Sequence, residues 1–292
     1  MGARIAELTA RRVRDPEAVT AAAASRIRAK SPLGDTGRAM IIAADHPARG
    51  ATAVGGDELA MADRAELLRR LCVALERPGV TGVLGTADIL EDLLLLGVLD
   101  GKCVFGSMNR GGLAGSVFEI DDRFTGYDAQ TIAALRFDGG KMLTRIAPDD
   151  PATAGVLQAS ARAVDELAEQ RLLAMVEPFL SRWEGGRVRN DLSPDAVIRS
   201  IAVASGLGRR SAYTWLKLPV VDDMERVLAA TTLPVLLLGG DPGGAEGERE
   251  ALARWWRALR LPGVQGLVVG RSLLYPADGD VAGAVDRAVG LL

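Results

Sequence analysis

The chain has 292 residues, 48% of them hydrophobic, and a formal net charge of -3. That length and apolar content allow one large buried core, and a single α/β barrel reaches about 250 residues. The charge balance supplies no basic field for nucleic acid or an acidic membrane surface, and the apolar run Leu93-Leu94-Leu95-Leu96 is far too short to span a bilayer.

The scarcity of metal-ligating side chains narrows the chemistry. One histidine, His46, and two separated cysteines, Cys72 and Cys103, form neither a zinc cluster nor a disulfide framework. Metal-independent chemistry is therefore expected. A reducing cytoplasm is expected too, because the first residues lack the long apolar core of a signal peptide. No G-x-G-x-x-G follows a strand and no P-loop pattern occurs, so no cofactor is expected.

Residues 1–36 are rich in Arg and Ala and carry no strand-like run. They read as a helical extension, with a helix over Asp15 to Ala29, that caps the bottom of the fold or packs on a partner. Beyond it, short continuous apolar runs alternate with amphipathic ones. Strands are expected at Ala39–Asp45, Thr81–Gly85, Lys102–Gly106, Lys141–Ile146, Leu172–Glu177, Ala212–Leu218, Pro234–Gly239 and Gly266–Gly270. Helices are expected over Leu59–Glu76, Ala152–Glu169, Pro194–Ser205 and Glu248–Leu261, with Ser193 as an N-cap ahead of Pro194. Eight such alternations predict an α/β fold, a closed (β/α)8 TIM barrel over 37–292 behind the 1–36 extension. The irregular stretch Ser107 to Tyr127, with Gly111, Gly112 and Gly115, is expected to be a mobile loop at the mouth. Trp255-Trp256 reads as packing or an oligomer contact, and Tyr213 and Trp215 as filling of the barrel wall.

In such a barrel the active site lies at the C-terminal ends of the strands. The first strand ends in Asp45-His46-Pro47, the fourth begins with Lys141, and the fifth ends in Glu177-Pro178. The sixth ends in Lys217, the seventh in Gly239-Gly240-Asp241 and the eighth in Gly270-Arg271-Ser272. Lys217 stands out. Lysine is almost never fully buried without a reason, and its amine is a nucleophile only when neutral, a state favoured by desolvation or a second cation. It reads either as a Schiff-base lysine or as an edge-strand lysine whose ammonium snorkels to solvent.

These strand-end pieces, Asp45-His46-Pro47, Lys141-Met142-Leu143, Val176-Glu177-Pro178, Trp215-Leu216-Lys217, Pro234 to Gly240 and Gly266 to Arg271, carry a resemblance. From about Arg38 to the C-terminus the chain resembles the class I (Schiff-base) aldolases of the archaeal-type fructose-bisphosphate and tagatose-bisphosphate group, which includes sulfosugar aldolases. It is similar, more closely, to actinobacterial (β/α)8 barrel proteins encoded near inositol-catabolism genes.

The resemblance implies residue roles. Lys217 would form the Schiff base. Lys141 would face it, depress its pKa and bind a substrate oxyanion. Glu177 would be the general base, and Asp45 would hold Lys217 or a substrate hydroxyl. His46 would either touch substrate or only cap the rim. Gly239, Gly240, Gly270 and Arg271 match the family's phosphate site, where glycine bares backbone N–H groups and Arg can grip bidentately. Plain turn glycines are the alternative, and Asp241 is unhelpful beside a phosphate unless it points away. Arg110 and Arg123 could reach the far end of a substrate.

The implied activity is a carbon-carbon lyase acting on a phosphorylated keto-sugar or keto-sugar acid. The 5-dehydro-2-deoxy-phosphogluconate of inositol breakdown is the candidate suggested by the gene neighbourhood of the proteins it resembles. The partner is then a small molecule, with no nucleic acid and no membrane, and a homo-oligomer is expected. Alternatives are a sugar-phosphate isomerase or epimerase, a sulfosugar aldolase, and a non-catalytic effector-binding barrel.

Overall fold

The structure is a computed structural model and describes residues 2–240 and 244–292. Nine strands occur among them: β1 Ala39–Ala43, β2 Gly82–Gly85, β3 Cys103–Ser107, β4 Gly139–Ile146, β5 Leu173–Glu184, β6 Arg187–Asn190, β7 Thr214–Leu218, β8 Val235–Leu238 and β9 Val264–Val269. All but β6 pair in parallel, in the order β4-β3-β2-β1-β9-β8-β7-β5, and a further β4–β5 pairing closes the ring. This is the expected (β/α)8 barrel. Its strands are apolar on both faces because one face lines the barrel and the other meets the helices.

Alternation along each strand divides the core in two. Ala39, Ile41, Ala43, Leu84, Cys103, Phe105, Met175, Leu236 and Val268 form a cluster inside the barrel. Met40, Ile42, Val83, Val104, Met142, Val176, Leu216 and Leu237 face out into the larger cluster shared with the helices. Each large side chain so buried contributes about 1.5–3 kcal/mol. That apolar interior supports a floor on which charged residues can stand without water. Trp215 packs against the inner cluster, in line with the wall-filling role read for it.

The extension comprises helices Gly2–Ala6, Leu8–Arg14 and Ala18–Ser25, the last of them shorter than the run read from the sequence. Arg12 pairs with Glu91 and Asp92 on the helix Ala87–Leu96. Arg26 donates to the carbonyls of Lys102 (2.8 Å) and Arg136 (2.5 Å), just ahead of β3 and β4, while Ala29 and Leu33 pack on the inner cluster. The segment therefore sits at the end of the barrel where the strands begin.

Helices Ala152–Glu169 and Pro194–Ser205 lie where the sequence places them, and the Ser193 hydroxyl accepts from Ala196 N as an N-cap. The helix expected from Leu59 starts instead at Arg64, because Asp63 caps it by accepting from Glu66 N. The helix expected from Glu248 already begins at Gly244.

Two strand boundaries differ with consequences for the site. β4 starts at Gly139, so Lys141 is the strand's third residue and not its first. Gly139 is required there, since a Cβ would lie 2.4 Å from the Leu173 carbonyl of β5. β5 runs past Glu177 to Glu184 and turns back as antiparallel β6. Gly185 and Gly186, at φ 58° and 74°, make the turn, a signature of a tight hairpin. Arg182, Glu184, Arg187 and Arg189 leave this hairpin without an apolar run, so it carries no strand signal by composition.

Candidate active site

Above the apolar floor the inward positions change character. Ser107 on β3, Lys141 on β4, Glu177 on β5 and Lys217 on β7 point into the barrel, with Asp45 two residues past the end of β1. Val176 and Leu216 are paired on neighbouring strands, so the next residues along, Glu177 and Lys217, meet inside.

The contacts form an alternating chain of charge. Arg110 Nη1 lies 3.0 Å from Asp45 Oδ2, and Lys141 Nζ lies 3.2 Å from the same oxygen. Lys141 Nζ is also 2.5 Å from Glu177 Oε2, and Lys217 Nζ is 2.8 Å from Glu177 Oε1. Lys141 and Lys217 are 2% and 4% exposed, so neither ammonium snorkels to solvent. Asp45, expected to hold Lys217 or a substrate hydroxyl, contacts Lys141 and Arg110, and Glu177 is what links the two lysines.

Burial pushes Glu177 up, but the ammoniums of Lys141 and Lys217 more than reverse this and hold it at about 2. Burial likewise raises Asp45, and Arg110 and Lys141 bring it well below the usual carboxylate range. Lys141 is pushed down by burial, against the pull of Asp45 and Glu177 and with help from Lys217 and Arg110. Two ionised carboxylates are thus interleaved with cations in a space too dry to keep any of them alone.

The chain lines a cavity of ≈ 490 Å³ that opens beyond the strand ends. One wall carries Gly239, Gly240, Gly270 and Arg271. A Cβ on Gly270 would stand 2.3 Å from the Ala43 carbonyl and 3.3 Å from His46 Cε1, so only glycine fits between β1 and β9. Gly240, at φ 78°, turns the chain in the left-handed region with open space at its Cβ position. Asp241 lies outside the described residues. His46 lines the cavity with Nδ1 3.8 Å from Asp45 Oδ1. Burial, aided by Arg271 and Lys217 against the pull of Asp45, lowers its imidazole to about 3, so it stands there neutral. Among the described residues no group of acidic, His and Cys side chains is arranged to hold a metal ion.

The opposite wall was only partly visible in the sequence. Arg49, Arg145, Glu119 and the β6 residue Arg189 line it. Arg145 Nη2 lies 2.6 Å from Asp122 Oδ1, and Arg49 donates to the Gly112 carbonyl at 2.9 Å. Burial, with Arg145 nearby, pushes Arg49 down to about 10. Arg110, read as reaching a substrate, reaches Asp45. Arg123 turns outward to Asp121 and is exposed. Sequence signals for this wall existed in the inward alternation Lys141, Leu143, Arg145 and in the Gly185-Gly186 turn.

The Cgl0159-like family model matches residues 37–289, most of the chain. The chain belongs to the Cgl0159-like family. The crystal structure of Cgl0159 from Corynebacterium glutamicum is 54% identical, with a TM-score of 0.95 over 99% of this chain and 96% of that one. A Schiff-base-forming fructose-1,6-bisphosphate aldolase is 20% identical, with a TM-score of 0.67 over 94% of this chain and 99% of its own. An archaeal fructose-1,6-bisphosphate aldolase, solved with its catalytic Lys covalently bound to the carbinolamine intermediate, is 19% identical, with a TM-score of 0.65 over 93% and 100%. No curated protein matches the chain. The two aldolases share with this member of the Cgl0159-like family the barrel fold. No helix among its described residues is long and apolar enough to cross a membrane.

Proposed function

We propose that the protein is a class I aldolase, a metal-independent carbon-carbon lyase that forms a Schiff base through Lys217. The observation that carries the reading is Glu177, a buried carboxylate holding one lysine on each oxygen at the mouth of a closed barrel. The barrel likeness to aldolases that form a lysine Schiff base supports it.

The geometry suggests a division of labour. Lys217 has one carboxylate partner where Lys141 has two, so freeing the Lys217 amine breaks one ion pair and not two. Glu177 Oε1 is the acceptor at hand for the proton that the ammonium must lose. The amine adds to the substrate ketone, its proton passing to the carbonyl oxygen. Glu177 returns the proton it took to that hydroxyl, which leaves as water, and Lys141, the other ammonium on Glu177, is assigned to steady the oxygen. Glu177 then takes the proton of the hydroxyl β to the imine carbon. The C–C bond breaks, its electron pair moves to the iminium nitrogen as an enamine, and the aldehyde fragment leaves. Protonation of the enamine carbon and hydrolysis release the ketone fragment and restore the amine.

Gly239, Gly240, Gly270 and Arg271 are assigned to a phosphate on the substrate. A phosphorylated keto-sugar or sugar acid is the substrate class, and 5-dehydro-2-deoxy-phosphogluconate is the specific candidate from the resemblance. A cytoplasmic location accords with two buried free cysteines. A homo-oligomer would cover the exposed side chains of Val117 and Phe118 at the rim.

The test is to incubate the protein, in EDTA, with dihydroxyacetone phosphate, reduce with borohydride and map the adduct by peptide mass. An adduct on Lys217 is expected. No adduct with any ketose phosphate tried, or one that needs added metal, would end the class I reading.

A further inference from the structure

Arg110 is buried in the loop between β3 and the helix Ala129–Ala134, and the loop is built to deliver it. The Asn109 side chain exchanges hydrogen bonds with the backbone of Leu143 on β4, accepting from its N–H at 2.8 Å. Arg145 on β4 holds the loop carboxylate Asp122 through two nitrogens, at 2.8 and 2.6 Å. Between these anchors Arg110 N–H meets the Thr125 hydroxyl, and its guanidinium reaches across the barrel to Asp45.

Three donors converge on one oxygen there. Asp45 Oδ2 accepts from Arg110 at 3.0 Å, from Lys141 at 3.2 Å and from Ser107 at 3.2 Å. Lys141 in turn stands closer to Glu177, at 2.5 Å, than to Asp45. We propose that Arg110 is a positioning residue that occupies Asp45 and thereby commits Lys141 to Glu177.

The physical reasoning concerns competition for one buried charge. Without Arg110, the Asp45 carboxylate would face Lys141 as its sole full cation at contact distance, in a site where an unpaired charge is costly. Lys141 would be drawn from Glu177 toward Asp45. The charged groups facing Lys141 are Asp45 beyond β1, Glu177 on β5, Lys217 on β7 and Arg110 on the loop, with neutral His46 beside Asp45. Taking away Arg110 removes a like charge and leaves Asp45 less neutralised, and both changes favour the Lys141 ammonium. The consequence for turnover rests on the Schiff-base reading; the coupling between Arg110, Asp45 and Lys141 does not.

The experiment is competitive acetylation of the whole protein with acetic anhydride across a pH series, read as the labelling midpoint of Lys141 by peptide mass. In Arg110→Gln the midpoint moves upward by about one pH unit or more. Arg110→Lys, which keeps the charge, gives a smaller shift. In an Asp45→Asn background, Arg110→Gln gives a clearly smaller shift, that of the lost like charge alone, because the mediator is gone. A folded Arg110→Gln protein with an unchanged or lowered midpoint would overturn the proposal, and so would an equal shift in the Asp45→Asn background. If Arg110→Gln fails to fold, the Arg110→Lys midpoint, alone and with Asp45→Asn, decides by the same signs. Borohydride trapping with dihydroxyacetone phosphate is run on the same proteins. A slower adduct at Lys217 is expected in Arg110→Gln, and a rate equal to the unaltered protein's counts against the positioning role. Absence of any adduct in the unaltered protein would sink the Schiff-base reading and leave the Lys141 midpoint to judge Arg110.

Discussion

Lys217 Nζ lies 2.8 Å from Oε1 of Glu177, a buried pair formed by side chains that enter the barrel from adjacent parallel strands. The nucleophile assigned to the reaction and the group assigned to move its protons are thus in contact before any substrate arrives. The second oxygen of the same carboxylate is taken by Lys141, so in the proposed reaction one cation reacts and the other stays.

Replacing Lys141 by Met tests that division. Glu177 loses one of its two ammoniums, and the carbinolamine oxygen loses the cation assigned to steady it. Turnover should fall roughly 100-fold or more, the scale of a lost acid-base group. Trapping with dihydroxyacetone phosphate and borohydride should still label Lys217. Loss of both turnover and adduct in this variant would give the Schiff base to Lys141 and reverse the roles of the two lysines.

Acid should act on the protein through Glu177. Its carboxyl titrates at 4.5 when unperturbed and at about 2 in the fold. A lowered folded pKa means that the unfolded chain binds the proton first. The stability from this group is present above 4.5 and is lost as pH falls toward about 2. Thermal midpoints measured between about pH 5 and pH 3 should therefore drop less in Glu177→Gln than in the unaltered protein, although the variant starts lower. Parallel lines for the two proteins would show that Glu177 is not held ionised.

His46 is the chain's one histidine, so its ring gives a single, unambiguous NMR signal. With the imidazole lowered from 6.5 to about 3, that signal should stay in its neutral position as pH falls through 6.5. A titration midpoint near 6.5 would mean that the ring is solvated and free of the neighbouring cations.

Arg271→Ala should weaken phosphorylated substrates selectively. One lost charge-assisted contact costs on the order of 1.5–3 kcal/mol, roughly 10- to 150-fold in kcat/KM if the contact holds in the transition state. An unphosphorylated analogue should be turned over almost as before, and Arg271→Lys should recover part of the loss without the forked geometry. Equal losses on both substrates would make Arg271 structural and move the phosphate site elsewhere on the rim.

Gly270→Ala probes the same wall through sterics. Its Cβ would meet the Ala43 carbonyl at 2.3 Å, and backbone of a closed barrel cannot yield cheaply. Overpacking of this kind costs about 1–3 kcal/mol. The urea midpoint should fall accordingly, and an unchanged midpoint would mean that β1 and β9 can part at the site.

The amino-acid sequence by itself determined the barrel, because each strand needs only a short apolar run between turn residues and those runs are local. It also determined that Lys217 and Asp45 lie at or just past strand ends, since chain position alone says where a parallel strand delivers its last side chains, whereas Glu177, read as a strand end, lies within β5, which runs on to Glu184. Tertiary structure decided who touches whom. The stagger between neighbouring strands puts Glu177 between Lys141 and Lys217, and leaves Asp45 to Lys141 and Arg110. That stagger is a property of barrel closure, summed over all the strand pairings, and no single segment encodes it. The β5–β6 hairpin stayed hidden because its polar strands gain their pairing from each other, so Arg189 reached the cavity without an apolar pattern to announce it. Arg110 was read as a substrate contact, but its pairing with Asp45 was illegible, since an irregular loop has no period, and what holds it is its contacts with β4 and with Asp45.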